Sequence, residues 1–162
     1  MIELTDLVRT LTENLSAKHL KITTAESCTG GLIAYLLTEL PGSSAWFDRG
    51  FVTYSNLAKQ EMLGINLKLL KKHGAVSREV AEAMAQGALA HSAADIALAV
   101  TGIAGPDGGS RQKPVGTVWI AWAGTNFPVR SVDFYFPDTS RQQVRQQACA
   151  KALEGAISII SL

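Results

Sequence analysis

The spacing of hydrophobic residues in the first quarter of the chain predicts a helix, a strand and a second helix. Residues 3–17 carry apolar side chains that share one face of an amphipathic helix: Leu4, Leu7, Val8, Leu11 and Leu15. A short β-rich run over 20–25 predicts a strand, and the next helical pattern comprises Ile33, Leu36, Leu37 and Leu40. The Pro41-Gly42-Ser43-Ser44 segment is expected to end this helix.

The middle of the chain repeats the change from strand to helix. Residues 46–54 predict a strand that ends at Tyr54, in which Asp48-Arg49-Gly50 permits a bulge. Asn56 is expected to cap the short helix that follows. The pattern over 68–91 is helical again, with Ser77 as an N-cap and a face of small or apolar residues: Val80, Ala83, Met84, Gly87 and Ala88.

The remainder of the chain adds three strands and a last helix. Residues 95–101 are almost continuously apolar, which is typical of a central strand covered on both faces. The β-rich runs 115–123 and 128–136 are close enough in sequence to predict an antiparallel hairpin, and Asp138 is expected to open the last helix. These elements predict the α/β class, with residues 1–162 forming a single domain: a three-layer α/β/α sandwich with a mixed five-stranded sheet.

Composition narrows the classes of function. A hydrophobic content of 47% in 162 residues is ample for one buried core, and a formal charge of +1 gives no indication of binding to nucleic acid or to an anionic membrane. The N-terminal segment has neither the basic start nor the apolar stretch of a signal peptide, which predicts a cytoplasmic protein. Cys28 and Cys149 match no metal-ligand spacing and are interpreted as reduced thiols, so no metal site is expected.

Ser27 is the first candidate for chemistry. It lies where the first strand passes into a helix, and Gly30 and Gly31 follow closely. Unpaired N–H groups at a helix N-terminus stabilise an oxyanion, so the position suits a nucleophile. The alternatives are that Ser27 only caps its helix, or that Cys28 is the nucleophile because a helix N-terminus lowers a thiol pKa.

A serine nucleophile needs a base, and the chain offers a lysine more readily than a histidine. His19, His73 and His91 have no recognisable partner in the sequence, whereas Lys59 follows Tyr54 about one helical turn after the predicted strand. A lysine acts as a base when burial lowers its pKa, and a tyrosine hydroxyl could relay the proton to Ser27. The alternative is that both are surface residues.

A glycine-rich loop follows the buried strand, where α/β sheets place their ligands. The loop, 101–109, lacks the spacing of a P-loop, and no dinucleotide-binding glycine pattern follows the first strand. Asp107 suits a sugar hydroxyl or simply caps the turn. Arg141 and Arg145 share a helix face from which either could reach a phosphate, or they form a solvated helix surface.

Several segments together resemble one family. They occur in order along most of the chain: Thr24-Ala25-Glu26-Ser27-Cys28-Thr29-Gly30-Gly31, Pro41-Gly42-Ser43-Ser44, Val52-Thr53-Tyr54-Ser55-Asn56 with Lys59, His73-Gly74-Ala75-Val76-Ser77, Thr101-Gly102-Ile103-Ala104-Gly105-Pro106-Asp107-Gly108-Gly109, and Lys113-Pro114-Val115-Gly116-Thr117-Val118. The pattern is similar to that of the CinA C-terminal domain family, the PncC-type nicotinamide-nucleotide amidohydrolases.

The resemblance implies conversion of nicotinamide mononucleotide to nicotinate mononucleotide and ammonia, in pyridine nucleotide recycling, without a metal or an organic cofactor. It also implies a catalytic set of Ser27, Tyr54 and Lys59. The position of Met1 predicts the stand-alone form of a domain that other members carry behind a second domain. Because the family includes copies without detectable activity, a degenerate nucleotide-binding or sensor copy is the alternative.

The mechanism predicted at this point is attack by Ser27 on the carboxamide and an acyl-enzyme ester. The substrate-binding residues are expected to surround Ser27 and the glycine-rich loop: Cys28, Thr29, Gly30, Gly31, Thr101, Gly102, Gly105, Asp107 and Arg145. Nicotinamide or its riboside is an alternative substrate. The apolar-rich composition and three tryptophans favour a homo-oligomer.

Overall fold

The computed structural model describes residues 3–162, in which six α-helices flank five strands. The strands are β1 (Ile22–Glu26), β2 (Phe47–Val52), β3 (Ile96–Gly102), β4 (Thr117–Gly124) and β5 (Arg130–Tyr135). The helices are α1 (Leu4–Ala17), α2 (Leu32–Leu37), α3 (Asn56–Leu63), α4 (Leu67–His73), α5 (Arg78–Ala90) and α6 (Arg141–Ile160), with a 3₁₀ turn at Ser43–Ala45. Within this range no helix is both long and apolar enough to cross a membrane.

The five strands form one sheet in the order β2-β1-β3-β4-β5. The first three strands are parallel to one another, whereas β4 runs antiparallel to both of its neighbours. The mixed five-stranded sheet and the β4–β5 hairpin are therefore confirmed.

Helices cover both faces of this sheet, and β3 contacts a different set of side chains on each face. Ile96, Leu98 and Val100 point into a core shared with α1, α2 and α6. The alternate residues Ala97 and Ala99 face α5, which presents its own small side chains. Small residues on both surfaces allow close approach of α5 to the sheet. The predicted α/β/α sandwich is confirmed.

Two predicted helix starts are wrong. The N-cap of α3 is Ser55, whose hydroxyl accepts the N–H of Ala58, and Asn56 is already helical. The last helix begins after Ser140, which forms a capping box with Gln143. Asp138 instead has a φ of 52° in the preceding turn, outside the helical region.

The strand and helix boundaries in the middle of the chain also differ from prediction. β2 ends at Val52, so Tyr54 lies beyond the strand, while the β1–β2 pairing shifts register opposite the predicted bulge. The helical pattern over 68–91 is divided between α4 and α5, because the backbone at Gly74 takes a φ of 76° that ends α4. Ser77 caps α5 as predicted.

The topology brings three strand ends to one edge of the sheet. Because β1, β2 and β3 are parallel, their carboxyl ends at Glu26, Val52 and Gly102 lie side by side. Ligand sites of open α/β sheets occur at such an edge. The turn that contains Ser27 occupies its middle.

Candidate active site

Ser27 lies in the turn between β1 and α2. Its N–H donates to the carbonyl of Val100 at 3.0 Å, which continues the pairing of β1 with β3 past the end of the strand. α2 begins only at Leu32, and its N-cap is Gly31. Contrary to expectation, Ser27 therefore neither caps this helix nor lies at its first residue. The Ser27 hydroxyl is therefore not committed to a helix cap.

The amino group of Lys59 contacts Ser27 directly. Lys59 Nζ lies 3.0 Å from Ser27 Oγ, 2.9 Å from the carbonyl oxygen of Thr53 and 3.1 Å from that of Tyr54. These three acceptors match the three N–H donors of an ammonium group. No carboxylate within residues 3–162 forms an ion pair with Lys59.

Burial without a counter-ion alters the acidity of this lysine. Lys59 is only 1% exposed. Desolvation of the ammonium lowers the pKa of Lys59 from 10.5 to about 8. About a tenth of Lys59 is then the neutral amine at pH 7, and this amine retains a lone pair for the Ser27 proton.

The side chain of Tyr54 turns away from the Ser27–Lys59 pair. Its hydroxyl accepts a hydrogen bond from Arg141 Nη2 at 3.0 Å, and the residue is 60% exposed. The predicted relay is not the geometry observed, because Lys59 reaches Ser27 without an intermediate. The part of Tyr54 that contacts Lys59 is its backbone carbonyl.

The thiol of Cys28 has the wrong environment for a nucleophile. The residue is 6% exposed, and burial raises the pKa of Cys28 to about 11. The positive charges of Arg145 and Arg141 only partly offset this effect. Because the thiolate is the reactive form, the burial and raised pKa of Cys28 favour Ser27 as the nucleophile.

The polar side chains predicted to bind substrate contact the protein itself. The Thr29 hydroxyl donates to Glu26 at 2.7 Å, and the Thr101 hydroxyl donates to the carbonyl of Ala75 at 2.9 Å. Arg145 donates to the carbonyls of Cys28 and Thr29 at 3.1 and 3.2 Å. These side chains therefore shape the turn and the neighbouring loop.

The glycine-rich loop remains beside the site. Gly102 ends β3 against Val118, and the carbonyl of Gly105 accepts a hydrogen bond from Arg141 at 2.8 Å. Asp107 is exposed and makes no side-chain hydrogen bond within residues 3–162. The structure thus brings the loop to Arg141, and Asp107 stays open to solvent.

Comparison with known proteins identifies the family. The model of the CinA C-terminal domain matches residues 4–160. A protein of Pseudomonas putida named nicotinamide-nucleotide amidohydrolase PncC is 51% identical over 98% of each chain, and one of the same name from Enterobacter agglomerans is 53% identical over 88% of this chain and 87% of the relative. The crystal structure of the competence/damage inducible protein CihA from Agrobacterium tumefaciens is 46% identical, with a TM-score of 0.96 over 100% of this chain and 98% of that one.

The chain belongs to the CinA C-terminal domain family. The resemblance drawn from the ordered motifs is confirmed, and so is the fold that it implies.

One polar residue of this CinA C-terminal domain was missed by the sequence analysis. The carboxylate of Glu26 is completely buried, and it accepts the N–H groups of Ile33 and Ala34 at 2.9 and 3.0 Å. With the bond from Thr29, the carboxylate holds the first turn of α2 against the end of β1. A carboxylate at the end of a buried strand was the available signal.

A histidine contact was missed as well. His73 Nδ1 lies 3.5 Å from a carboxylate oxygen of Glu79, across the connection between α4 and α5. His73 makes no hydrogen bond to Ser27, whose hydroxyl instead contacts Lys59 and the Tyr54 carbonyl. Among residues 3–162 no group of three or more His, Cys, Asp or Glu could hold a metal ion.

Proposed function

We propose that this chain hydrolyses the carboxamide of nicotinamide mononucleotide to nicotinate mononucleotide and ammonia, through an acyl-enzyme on Ser27. The observation that carries the proposal is the 3.0 Å contact between Lys59 Nζ and Ser27 Oγ, made by a buried lysine without a counter-ion. The names of the two relatives, which cover most of this chain, support the substrate.

The first step uses neutral Lys59 as the base. A neutral amine has two N–H donors and one lone pair. If the donors stay on the carbonyls of Thr53 and Tyr54, the lone pair is directed at Ser27 Oγ. Lys59 accepts the proton while the oxygen of Ser27 forms a bond to the carboxamide carbon.

The resulting oxyanion needs hydrogen-bond donors. Within residues 3–162 the backbone N–H groups of Cys28 and Gly31 donate to no protein acceptor, and they belong to the turn that begins at Ser27. In the proposed mechanism these two groups receive the oxyanion. The amide C–N bond then breaks, and the proton on Lys59 transfers to the leaving nitrogen to give ammonia.

Water completes the reaction by the same route. Lys59 takes a proton from water as the water oxygen attacks the ester carbon, and the bond between that carbon and Ser27 Oγ breaks. The proton on Lys59 returns to Ser27, which restores the resting pair. The tyrosine implied by the family resemblance, Tyr54, contributes its carbonyl to Lys59 in this scheme, and a catalytic role for its hydroxyl stays a prediction.

The test is ammonia release from nicotinamide mononucleotide by the wild type and by Ser27→Ala. We expect release by the wild type and its loss in Ser27→Ala, with substrate binding preserved. Ser158→Ala, which alters an exposed serine of α6, serves as the matched control and should retain activity. Full activity of Ser27→Ala would falsify the acyl-enzyme.

The same experiment separates the alternatives. Binding of the mononucleotide by folded wild-type protein without ammonia release would favour the degenerate sensor copy. Faster release from nicotinamide or its riboside would favour the wider substrate class. The predicted cytoplasmic location and homo-oligomeric state are tested separately, by cell fractionation and by light scattering.

A further inference from the structure

We propose that Arg141 is the residue that binds the substrate's 5′-phosphate, and so determines the preference for a nucleotide over its nucleoside. The sequence left open whether Arg141 or Arg145, one helical turn apart on α6, reaches a phosphate, and only Arg145 was among the expected substrate-binding residues. This inference rests on the proposed function, because the substrate is the one proposed there. It is carried by the different contacts of the two guanidinium groups.

Arg145 binds the turn that contains Ser27. It is half-buried, and it donates from Nε to the Cys28 carbonyl and from Nη2 to the Thr29 carbonyl. A Cβ atom added at Gly30 would lie 3.3 Å from the same Nη2, so the guanidinium packs closely on the turn. A ligand that displaced Arg145 would leave two carbonyls of this turn without their donor.

Arg141 is exposed and holds weaker, neutral partners. Its Nη1 donates to the Gly105 carbonyl at 2.8 Å and its Nη2 to the Tyr54 hydroxyl at 3.0 Å. Within residues 3–162 it forms no salt bridge. A guanidinium has five N–H donors, so three remain for a further ligand. A phosphate offers charge-assisted, bidentate hydrogen bonds that exceed those to a phenol or a carbonyl.

Tyr54 fixes where this cation lies relative to the reacting groups. The Tyr54 carbonyl lies 3.1 Å from Lys59 Nζ and 3.4 Å from Ser27 Oγ, while its hydroxyl contacts Arg141. The separation between the Ser27–Lys59 pair and Arg141 is therefore spanned by one tyrosine. The positive charge of Arg141 also opposes the burial-driven rise in the pKa of Cys28, next to Ser27. The substrate carries its carboxamide and phosphate at opposite ends, as this arrangement requires.

The experiment compares nicotinamide mononucleotide with nicotinamide riboside, which lacks the phosphate. We measure kcat/KM for ammonia release from both compounds with wild type, Arg141→Gln and Arg141→Lys. Arg130→Gln is the matched control, because Arg130 is an exposed arginine at the start of β5. We expect Arg141→Gln to reduce the preference for the mononucleotide over the riboside by about 10- to 100-fold. Arg141→Lys should restore part of it, because lysine keeps the charge without the planar fork.

Equal losses on the two substrates would overturn the proposal, since Arg141 would then act only by holding Tyr54 and the loop. An unchanged preference would overturn it as well. Calorimetric titration of both compounds tests Arg141 without turnover, and there too Arg141→Gln should weaken binding of the mononucleotide selectively. If the wild type binds the mononucleotide through Arg141 but releases no ammonia, the proposed function fails and this inference stands.

Discussion

Lys59 Nζ lies 3.0 Å from Ser27 Oγ, although 32 positions of sequence separate the two residues. The parallel pairing of β1 with β2 explains their proximity. Glu26 pairs with Val52 at the ends of these strands, and the N–H of Thr53 donates to the Glu26 carbonyl at 2.8 Å. The turns that follow the two strands therefore start side by side, and α3 returns Lys59 toward Ser27 within its first turn.

The first prediction concerns the pH dependence of catalysis. Because burial lowers the pKa of Lys59 to about 8, the proposed base is mostly protonated at pH 7 and mostly neutral at pH 9. We expect kcat/KM to rise about tenfold per pH unit below this pKa and to level off above it. Initial rates of ammonia release between pH 6.5 and 9.5 measure the profile.

The substrate's own ionisation is the necessary control for this profile. A phosphate monoester loses its second proton at a pKa of about 6, below the range in question. The riboside has no such group, so its profile should show the same rise. A flat profile for both compounds across pH 7 to 9 would contradict a lysine base.

The second prediction concerns stability, and its sign follows from linkage. The folded protein releases the Lys59 proton at a pKa of about 8, and the unfolded chain releases it at about 10.5. Between these values the unfolded state binds more protons, so wild-type stability should rise with pH relative to Lys59→Met. We expect a relative gain on the order of 1 kcal/mol between pH 7.5 and 9.5, measured by urea unfolding.

Lys68→Met is the matched control, because Lys68 is an exposed lysine in α4. Its stability relative to the wild type should not change over the same pH range. If Lys59→Met behaves like Lys68→Met, the buried amine titrates normally and the basis for the proposed base is removed.

The sequence located the proposed nucleophile and base better than the groups around them. Ser27 was identifiable because it follows the first strand, and Lys59 because it follows Tyr54 and no histidine offered a better base. The direction of the Tyr54 side chain was not predictable, since it depends on β2 ending at Val52. Which of Arg141 and Arg145 is free to bind the substrate phosphate depends on the rotation of α6 about its axis. That rotation is set by packing of buried residues such as Val144 and Ala148.

The third prediction concerns the rival nucleophile. Cys28 is buried and its raised pKa, about 11, leaves almost no thiolate at neutral pH. We expect Cys28→Ala to retain kcat/KM within about threefold, because only a small packing contribution is lost. Iodoacetamide should alkylate Cys28 slowly in the native protein, as measured by mass spectrometry, with the fully buried Cys149 for comparison. An inactive Cys28→Ala beside an active Ser27→Ala would identify a thiol amidase instead.

The last prediction concerns the buried carboxylate that shapes the turn. Glu26 accepts three hydrogen bonds, from the Thr29 hydroxyl and from the N–H groups of Ile33 and Ala34. In Glu26→Gln an amide NH₂ replaces one acceptor and faces a donor, so a buried N–H loses its partner. We expect a loss of about 1–3 kcal/mol in the free energy of unfolding, measured with urea.

Catalysis should respond to the same change, because the turn that Glu26 organises contains Ser27 and the N–H groups of Cys28 and Gly31. A displaced turn disturbs the attacking hydroxyl and the oxyanion donors, so kcat should fall more than KM rises. Glu13→Gln, at an exposed position of α1, is the matched control and should change neither stability nor kcat. Wild-type kcat in a destabilised Glu26→Gln would show that the carboxylate supports the fold of α2 alone.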